Sequence, residues 1–304
     1  MDTSRFIWMD GELVPWENAT VHVLAHALHY GTGVFEGIRA YDTPDGTAVF
    51  RHTEHMERLH SSARAYGLEL EWTVDQLMEA ARLVVRENDL ESAYIRPLAY
   101  LGAGSLGINP AGIPTQTMIA AWRWGAYLGE EGLQHGIRVR VSSWRRLDHQ
   151  AFVLNAKGTG GYVNSVLAKR EAIRDGYDEA ILLNMRGFVA EGSGENLFLV
   201  RGGKVKTPPV SAGILDGITR ATVMQLLRDD GYDVAEMEVT RSDLYNADEM
   251  FFTGTAAEVT PIREVDGLAV GAGEPGPVSK RAQLLFKETV TGKLDQYRHW
   301  LDFV

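Results

Sequence analysis

A lysine amine becomes reactive when burial or neighbouring positive charge lowers its pKa and when small residues leave it room to attack a carbonyl. Lys157 stands in the stretch FVLNAKGTGGYVNS, with Phe152, Val153 and Leu154 before it and Gly158, Gly160 and Gly161 after it. The apolar side offers desolvation, and the glycines offer space. A phosphate-cradling P-loop is excluded, because its glycines precede the lysine and a hydroxyl residue follows it, whereas Gly158 follows Lys157. Taken alone, the segment also fits a surface lysine in a turn, the commonest fate of that residue type.

A second stretch, FVAEGSGENLF, places Glu191 before the small-residue turn Gly192–Gly194, with Glu195 and Asn196 leading into a strand. A carboxylate so placed can pair with the protonated ring nitrogen of a carbonyl cofactor. In ILDGITRATVMQLL a glycine precedes a helix whose first N–H groups, near Ile218 and Thr219, lack intrahelical partners and suit a phosphate. In FFTGTAAE, Thr255 and Ala256 form a turn whose successive N–H groups can make an anion nest for a carboxylate.

Other motifs fail on context. GAGSLG, Gly102–Gly107, fits G-x-G-x-x-G, but Pro110 and Pro114 forbid the helix that dinucleotide binding requires, which leaves a loop. His22, His26 and His29 could share a helical face, yet no third ligand follows at metal-binding spacing. HTEHMERLH is read the same way, so no metal site is expected.

The whole chain has 304 residues, enough for about two domains. Its formal charge of −11, from 30 basic and 41 acidic side chains, argues against nucleic acid or an anionic membrane surface as partner. There is no cysteine, which removes disulfides, thiolate zinc and a cysteine nucleophile. The start MDTSRFIWMD lacks the apolar core of a signal peptide, and no apolar run approaches the ~18 residues of a membrane helix. The expected location is the cytoplasm.

The elements that must position these residues alternate between α and β. TVDQLMEAARLVVREN reads as a helix opened by a Thr73–Gln76 capping box. YVNSVLAKREAIRDG and ITRATVMQLLRDDG read as helices closed by glycine. AVFRH, AYIRPLAYL, TQTMIAAW, IRVRVSSW, DEAILLN, ENLFLV and DEMFFTG read as strands. WRWGAYLGEEGLQHG, Trp122–Gly136, breaks the strand pattern and suggests a small domain over 1–124, an interdomain loop over 125–136 and a larger domain over 137–304.

The motifs ALHYGTGVFEGIRAY, FRHTEHMERL, AYIRPL, WGAYLG, AKGTGGYVNS, AEGSGENLF, LDGITR and TGTAAEVTPIREVDG, in that order, resemble the fold type IV pyridoxal phosphate enzymes. The similarity is greatest to the branched-chain amino acid aminotransferases and runs from about Phe6 to about Val278. The resemblance implies a mixed α/β fold, with a small N-terminal α/β domain, a larger C-terminal cofactor-binding domain with a barrel-like mixed core, and the cofactor between them. It implies pyridoxal 5′-phosphate, bound through Lys157, which also moves the substrate proton. Glu191 would pair with the ring nitrogen and Tyr162 with the ring's phenolate oxygen. Arg58, Ile218, Thr219 and Thr255 would hold the phosphate.

For the substrate, the resemblance implies a carboxylate held by Thr255, Ala256 and Tyr94, and an apolar wall of Tyr30, Phe35, Trp124 and Tyr127. Arg96 would receive the second carboxylate of 2-oxoglutarate, and Leu106 and Ile108 would come from a neighbouring subunit of at least a homodimer. The expected reaction is ping-pong transamination between branched-chain L-amino acids and 2-oxoglutarate, releasing 2-oxo acids and L-glutamate. The chain departs from the family pattern at Gly161, where many members carry asparagine. Alternatives within the fold are a D-amino acid or R-amine transaminase or an aminodeoxychorismate lyase; a non-catalytic binding protein is a third reading.

Overall fold

Thr73 and Gln76 close the capping box that their spacing predicts. Thr73 Oγ1 accepts from the Gln76 N–H at 3.3 Å, and Gln76 Oε1 accepts from the Thr73 N–H at 2.9 Å. The helix that follows, Val74–Glu87, buries Leu77, Ala80, Ala81, Val84 and Val85 along one stripe, the helical period read from the sequence.

The computed structural model describes residues 4–125 and 128–304, and the chain divides into two units, each with mixed α and β structure. Met1–Trp124, Ala156–Gly161 and Thr289–Val304 form one; Gly125–Asn155 and Tyr162–Glu288 form the other. In the first, strands β1 (Phe6–Met9) and β2 (Glu12–Pro15) precede helix α1 (His26–Tyr30), β3 (Gly33–Phe35), β4 (Ile38–Thr43) and β5 (Gly46–Phe50). Helices α2 (His52–Tyr66) and α3 (Val74–Glu87), then β6 (Ala93–Leu101) and β7 (Thr115–Trp122), complete its N-terminal run. Ile38, Met56, Leu59, Leu77, Ile95 and Ile119 are fully buried in its core. Each such side chain contributes roughly 1.5–3 kcal/mol by leaving water.

Pro97 stands in the middle of β6, where a missing N–H ordinarily breaks a ladder. It is tolerated because the partner strand changes there. Ala93–Ile95 pair with Ala40–Ile38 of β4, and Leu98–Tyr100 pair with Phe35–Gly33 of β3. Glu36 and Gly37 lie in the break between those two strands, and the Glu36 N–H donates to the Pro97 carbonyl at 2.9 Å.

In the second unit α4 (Gly129–His135) packs on a later strand and leads into β8 (Ile137–Arg145), α5 (Tyr162–Arg174), β9 (Glu179–Leu183), β10 (Val189–Gly192), β11 (Asn196–Arg201) and β12 (Lys204–Thr207). Helix α6 (Ile218–Asp229), β13 (Val234–Glu236), α7 (Arg241–Tyr245), β14 (Glu249–Gly254), β15 (Glu258–Val265), β16 (Leu268–Ala269) and α8 (Pro277–Val290) follow. The sheet runs β10-β9-β8-β15-β14-β11-β12-β13; β8 is parallel to β15 as well as to β9, and the parallel pairs consecutive in the chain are β8–β9 and β12–β13. Parallel neighbours need a long crossover, and α5 and α6 fall in those two connections. Phe198 and Phe251, directly opposite in the ladder, stack with centroids 5.0 Å apart. The last strand, β17 (Leu301–Phe303), pairs antiparallel with β5 of the first unit, so that unit's sheet runs β17-β5-β4-β6-β7-β1-β2 with β3 on β6.

The histidine run does not form the helical face considered from its spacing. Ala25 is extended, with φ −59° and ψ 131°, so α1 begins at His26 and His22 lies outside it. His26 is buried and spends both ring nitrogens locally: Nδ1 pairs with Thr32 Oγ1 at 2.8 Å and Nε2 donates to the Gly107 carbonyl at 2.9 Å. Gly102–Gly107 is a loop after β6, as the prolines require. Among the described residues no helix is long and apolar enough to cross a membrane.

Candidate active site

One face of α2 carries His55, Arg58, Ser62 and Tyr66, spaced three and four residues apart. Lys157 is fastened to this face and to β3. Its N–H donates to Ser62 Oγ at 3.0 Å, and its carbonyl accepts from the Phe35 N–H at 3.0 Å. Gly158 makes a bridge with Val34. A β-carbon at Gly158 would sit 1.9 Å from Tyr66 Oη, so the residue after the lysine has to be glycine while Tyr66 is in place. Thr159 Oγ1 donates to the Gly31 carbonyl at 3.0 Å, and Gly160 passes so close that a β-carbon on Gly31 would lie 2.7 Å from its Cα. The glycine-rich sequence is therefore what lets the lysine segment thread against α1, β3 and α2.

The Lys157 ammonium lies 5.1 Å from the Phe35 ring centroid, and the Arg96 guanidinium lies 4.7 Å from the same centroid. One aromatic ring thus relates the amine to a second cation. Arg96 Nη2 donates to Tyr94 Oη at 2.9 Å, while Arg96 Nε is buried with no hydrogen-bond partner. Tyr94 packs against Trp122 and Trp124 at 5.3 and 5.1 Å. Gly37 is required below it, because a β-carbon there would lie 2.1 Å from Tyr94 Oη. Tyr30, Leu106 and Ile108 are exposed in the single chain, Ile108 at 87%. Tyr127 lies outside the described residues.

Arg58 sits bidentate on Glu36, with Nε donating to Oε1 at 2.6 Å and Nη2 to Oε2 at 2.8 Å. His55 Nδ1 meets the same Oε2 at 2.7 Å.

In the second unit Glu191 is buried in β10 and tied to three donors. Arg146 Nη2 reaches Oε1 at 2.8 Å; Asn196 Nδ2 and the Leu215 N–H donate to Oε2 at 3.1 and 3.0 Å. Asn196 Nδ2 also donates to the Leu215 carbonyl, and a β-carbon on Gly217 would meet Asn196 Oδ1 at 1.9 Å. These contacts lock Glu191 to the turn that opens α6, whose first two residues are Ile218 and Thr219. Thr255 and Ala256 lie in the turn between β14 and β15, and Tyr162 is the first residue of α5. Thr253, opposite Asn196 in the β11–β14 ladder, has a buried hydroxyl with no partner.

Glu195 is a second buried carboxyl four residues from Glu191. Burial first, then the charge of Glu179 and that of Glu191, push it up to about 8. Folded protein therefore holds a proton there that the unfolded chain releases near 4.5, so stability from this group falls as pH rises between those values. Glu195→Gln is expected to flatten that fall: the variant should gain stability relative to the parent from about pH 5 to about pH 8, read by denaturant midpoints. An unchanged difference across that range would show Glu195 to be ionised in the fold.

Sequence reasoning selected Lys157, Arg58 and Glu191 but missed the residues that hold them: Glu36, Ser62 and Arg146. The available signal for Glu36 was a lone acid between Phe35 and Gly37 in an otherwise apolar stretch.

The donor set fits a phosphorylated carbonyl cofactor. The first unit offers a lysine amine and an arginine fork, and the second offers a helix N-terminus and a buried carboxylate, group types that suit a carbonyl, a phosphate and a ring nitrogen. The unpartnered Thr253 hydroxyl leaves further polar capacity beside Asn196.

The chain belongs to the amino-transferase class IV family, whose model matches residues 33–265. It is 51% identical over 303 residues to the branched-chain-amino-acid aminotransferase of Pseudomonas aeruginosa, covering 100% of this chain and 98% of that protein. The crystal structure of the Escherichia coli branched-chain amino acid aminotransferase superposes with a TM-score of 0.97 at 50% identity, covering 98% of this chain and 99% of that one. The branched-chain amino acid aminotransferase of T.th., solved with pyridoxamine 5′-phosphate, gives 0.97 at 49% identity, covering 100% of this chain and 99% of that one.

Proposed function

We propose that the protein transaminates branched-chain L-amino acids with 2-oxoglutarate, using pyridoxal 5′-phosphate. The cofactor, when bound, supplies a carbonyl for amines and a ring that withdraws electrons from the substrate Cα. Lys157 would hold it, and its Nζ would move the proton at the substrate Cα. Glu191 keeps a proton on the ring nitrogen, held in place by Arg146, Asn196 and the Leu215 N–H. Tyr162 hydrogen-bonds the ring's phenolic oxygen. Arg58, the first N–H groups of α6 and the hydroxyls of Thr219 and Thr255 hold the phosphate. The turn amides of Thr255 and Ala256, with Tyr94, take the substrate carboxylate.

The observation that carries the choice of substrates is the Phe35–Tyr94–Trp122–Trp124 wall with Arg96 set into it. Aromatic walls favour branched apolar side chains by burial, of order 1–3 kcal/mol. The buried, unpartnered Arg96 Nε suits a carboxylate, which lets the same wall admit an acidic 2-oxo acid. Both substrates then share one site in turn, so ping-pong kinetics are expected. The exposed Val23, Leu28, Tyr30, Leu106 and Ile108 fit burial against a second copy of the chain, with Leu106 and Ile108 completing the site of its neighbour.

Absorbance titration of the cofactor-loaded protein tests this reading. L-leucine should convert the bound cofactor to its aminated form and 2-oxoglutarate should reverse it; conversion only by D-alanine or an R-amine would replace the branched-chain assignment. Arg96→Ala is expected to slow the 2-oxoglutarate half-reaction by about tenfold or more beyond any effect on the leucine half-reaction. Equal losses in both would move Arg96 to the fold or to the shared carboxylate.

A further inference from the structure

Glu36 touches none of the groups that take substrate in the reading above, yet it is a fully buried charge. A charge in that position requires partners, and both of its oxygens are used. Oε1 accepts from Arg58 Nε at 2.6 Å; Oε2 accepts from Arg58 Nη2 at 2.8 Å and from His55 Nδ1 at 2.7 Å. Its backbone is fixed by the hydrogen bond from the Glu36 N–H to the Pro97 carbonyl, at the break between β3 and β4. Burial alone would raise this carboxyl, but the charge and hydrogen bonds of Arg58, joined by His55, outweigh it and hold it well below the usual carboxylate range. Burial also holds His55 below its ordinary value. His55 donates through Nδ1, since an ionised carboxylate only accepts.

A guanidinium is planar and carries five N–H donors in a rigid fork. Pairing the Nε–Nη2 edge with Glu36 sets the plane and direction of the whole group, so the Nη1 edge is aimed away from the carboxylate. A long arginine side chain without a fixed partner samples many rotamers and loses that freedom when it binds. We propose that Glu36 is a positioning residue that pre-aims Arg58 at a phosphate group, and so sets the preference for the phosphorylated cofactor over its dephosphorylated form. This rests on the reading of Arg58 as a phosphate-holding residue.

The test compares dissociation constants for pyridoxal 5′-phosphate and for pyridoxal, measured by absorbance titration of the full chain after release of its cofactor. Glu36→Gln puts an amide donor against the donors of Arg58 and His55. It is expected to weaken pyridoxal 5′-phosphate by about tenfold or more while changing pyridoxal by less than about twofold. Glu36→Asp keeps the charge, draws the fork back by one methylene, and is expected to lose a smaller part of the same preference. It serves where the glutamine variant does not fold, and an unchanged ratio in folded Glu36→Asp would then overturn the proposal. Equal weakening of both ligands by the glutamine variant would reduce Glu36 to a support of the fold.

Arg58→Ala separates the two readings. If it leaves the ratio intact, Arg58 does not hold phosphate; if it collapses the ratio while Glu36→Gln does not, only the positioning role fails. In the Arg58→Ala background, Glu36→Gln should change the ratio no further, because its effect passes through Arg58. A further drop would assign Glu36 an action of its own.

Discussion

Lys157→Ala is expected to lower transamination by roughly 10⁴-fold or more, because under the proposed function it removes the attachment point of the cofactor together with the base that moves the substrate proton, the latter alone worth about 10²–10⁴. The fold should survive. What fastens residue 157 is backbone: its N–H donates to Ser62 Oγ and its carbonyl accepts from the Phe35 N–H, and neither bond uses the lysine side chain. Alanine keeps both, so the thermal midpoint and circular dichroism should stay close to those of the parent while the visible absorbance of bound cofactor is lost. The truncation leaves a space next to the Phe35 ring, over which the ammonium stood at 5.1 Å. Added ethylamine should enter it and restore a small part of the turnover. Full activity without added amine would end the assignment.

Glu191→Gln is expected to reduce kcat by roughly 10²–10³, the scale of removing one aimed electrostatic partner from a reacting centre. An amide has nearly the same size but cannot hold a proton on the ring nitrogen. Its NH₂ group also faces one of the donors that now point at the carboxylate, from Arg146, Asn196 or the Leu215 N–H. The loss should appear mainly in single-turnover rates, with cofactor retention less affected because the phosphate holders are untouched. Glu191→Ala adds a different cost. It leaves the Arg146 guanidinium beside a buried void, and breaking a buried pair from one side costs about 3–5 kcal/mol. Chemical denaturation should therefore separate the two variants, the alanine form being the less stable. Activity of Glu191→Gln within about twofold of the parent would remove Glu191 from the chemistry and leave it as the anchor of the turn before α6.

Arg58 and Glu191 illustrate how different parts of such a site become legible. Glu191 could be selected as a side chain suited to a ring nitrogen, since residue type and neighbouring glycines are local information, whereas Arg58 entered only through the family resemblance. Their surroundings could not. The partner of Arg58 is 22 residues away, in the break between two strands, and the Ser62 hydroxyl that receives the Lys157 N–H is 95 residues away. Gly158 reads as room for a reactive amine, yet the contact that requires it is the Tyr66 ring on α2. Pro97 argues against a strand on local rules and is accommodated only because β6 changes partner from β4 to β3 beside it.

The local elements and the chemical types at the site follow from the order of residues alone. The capping box of α3, the span of β7, the glycine-closed helices α5 and α6, and the chemical settings of Lys157 and Glu191 all rest on residue type, capping and spacing within a few residues. Which charges meet was settled by tertiary packing. Sheet register set the break at Glu36 beneath Arg58, returned β17 to β5 at the far end of the chain, and placed Asn196 between Glu191 and the start of α6. The physical reason is that a buried charge is satisfied by whatever donor folding brings within about 3 Å, and that donor's identity depends on long-range packing, which local propensity does not encode.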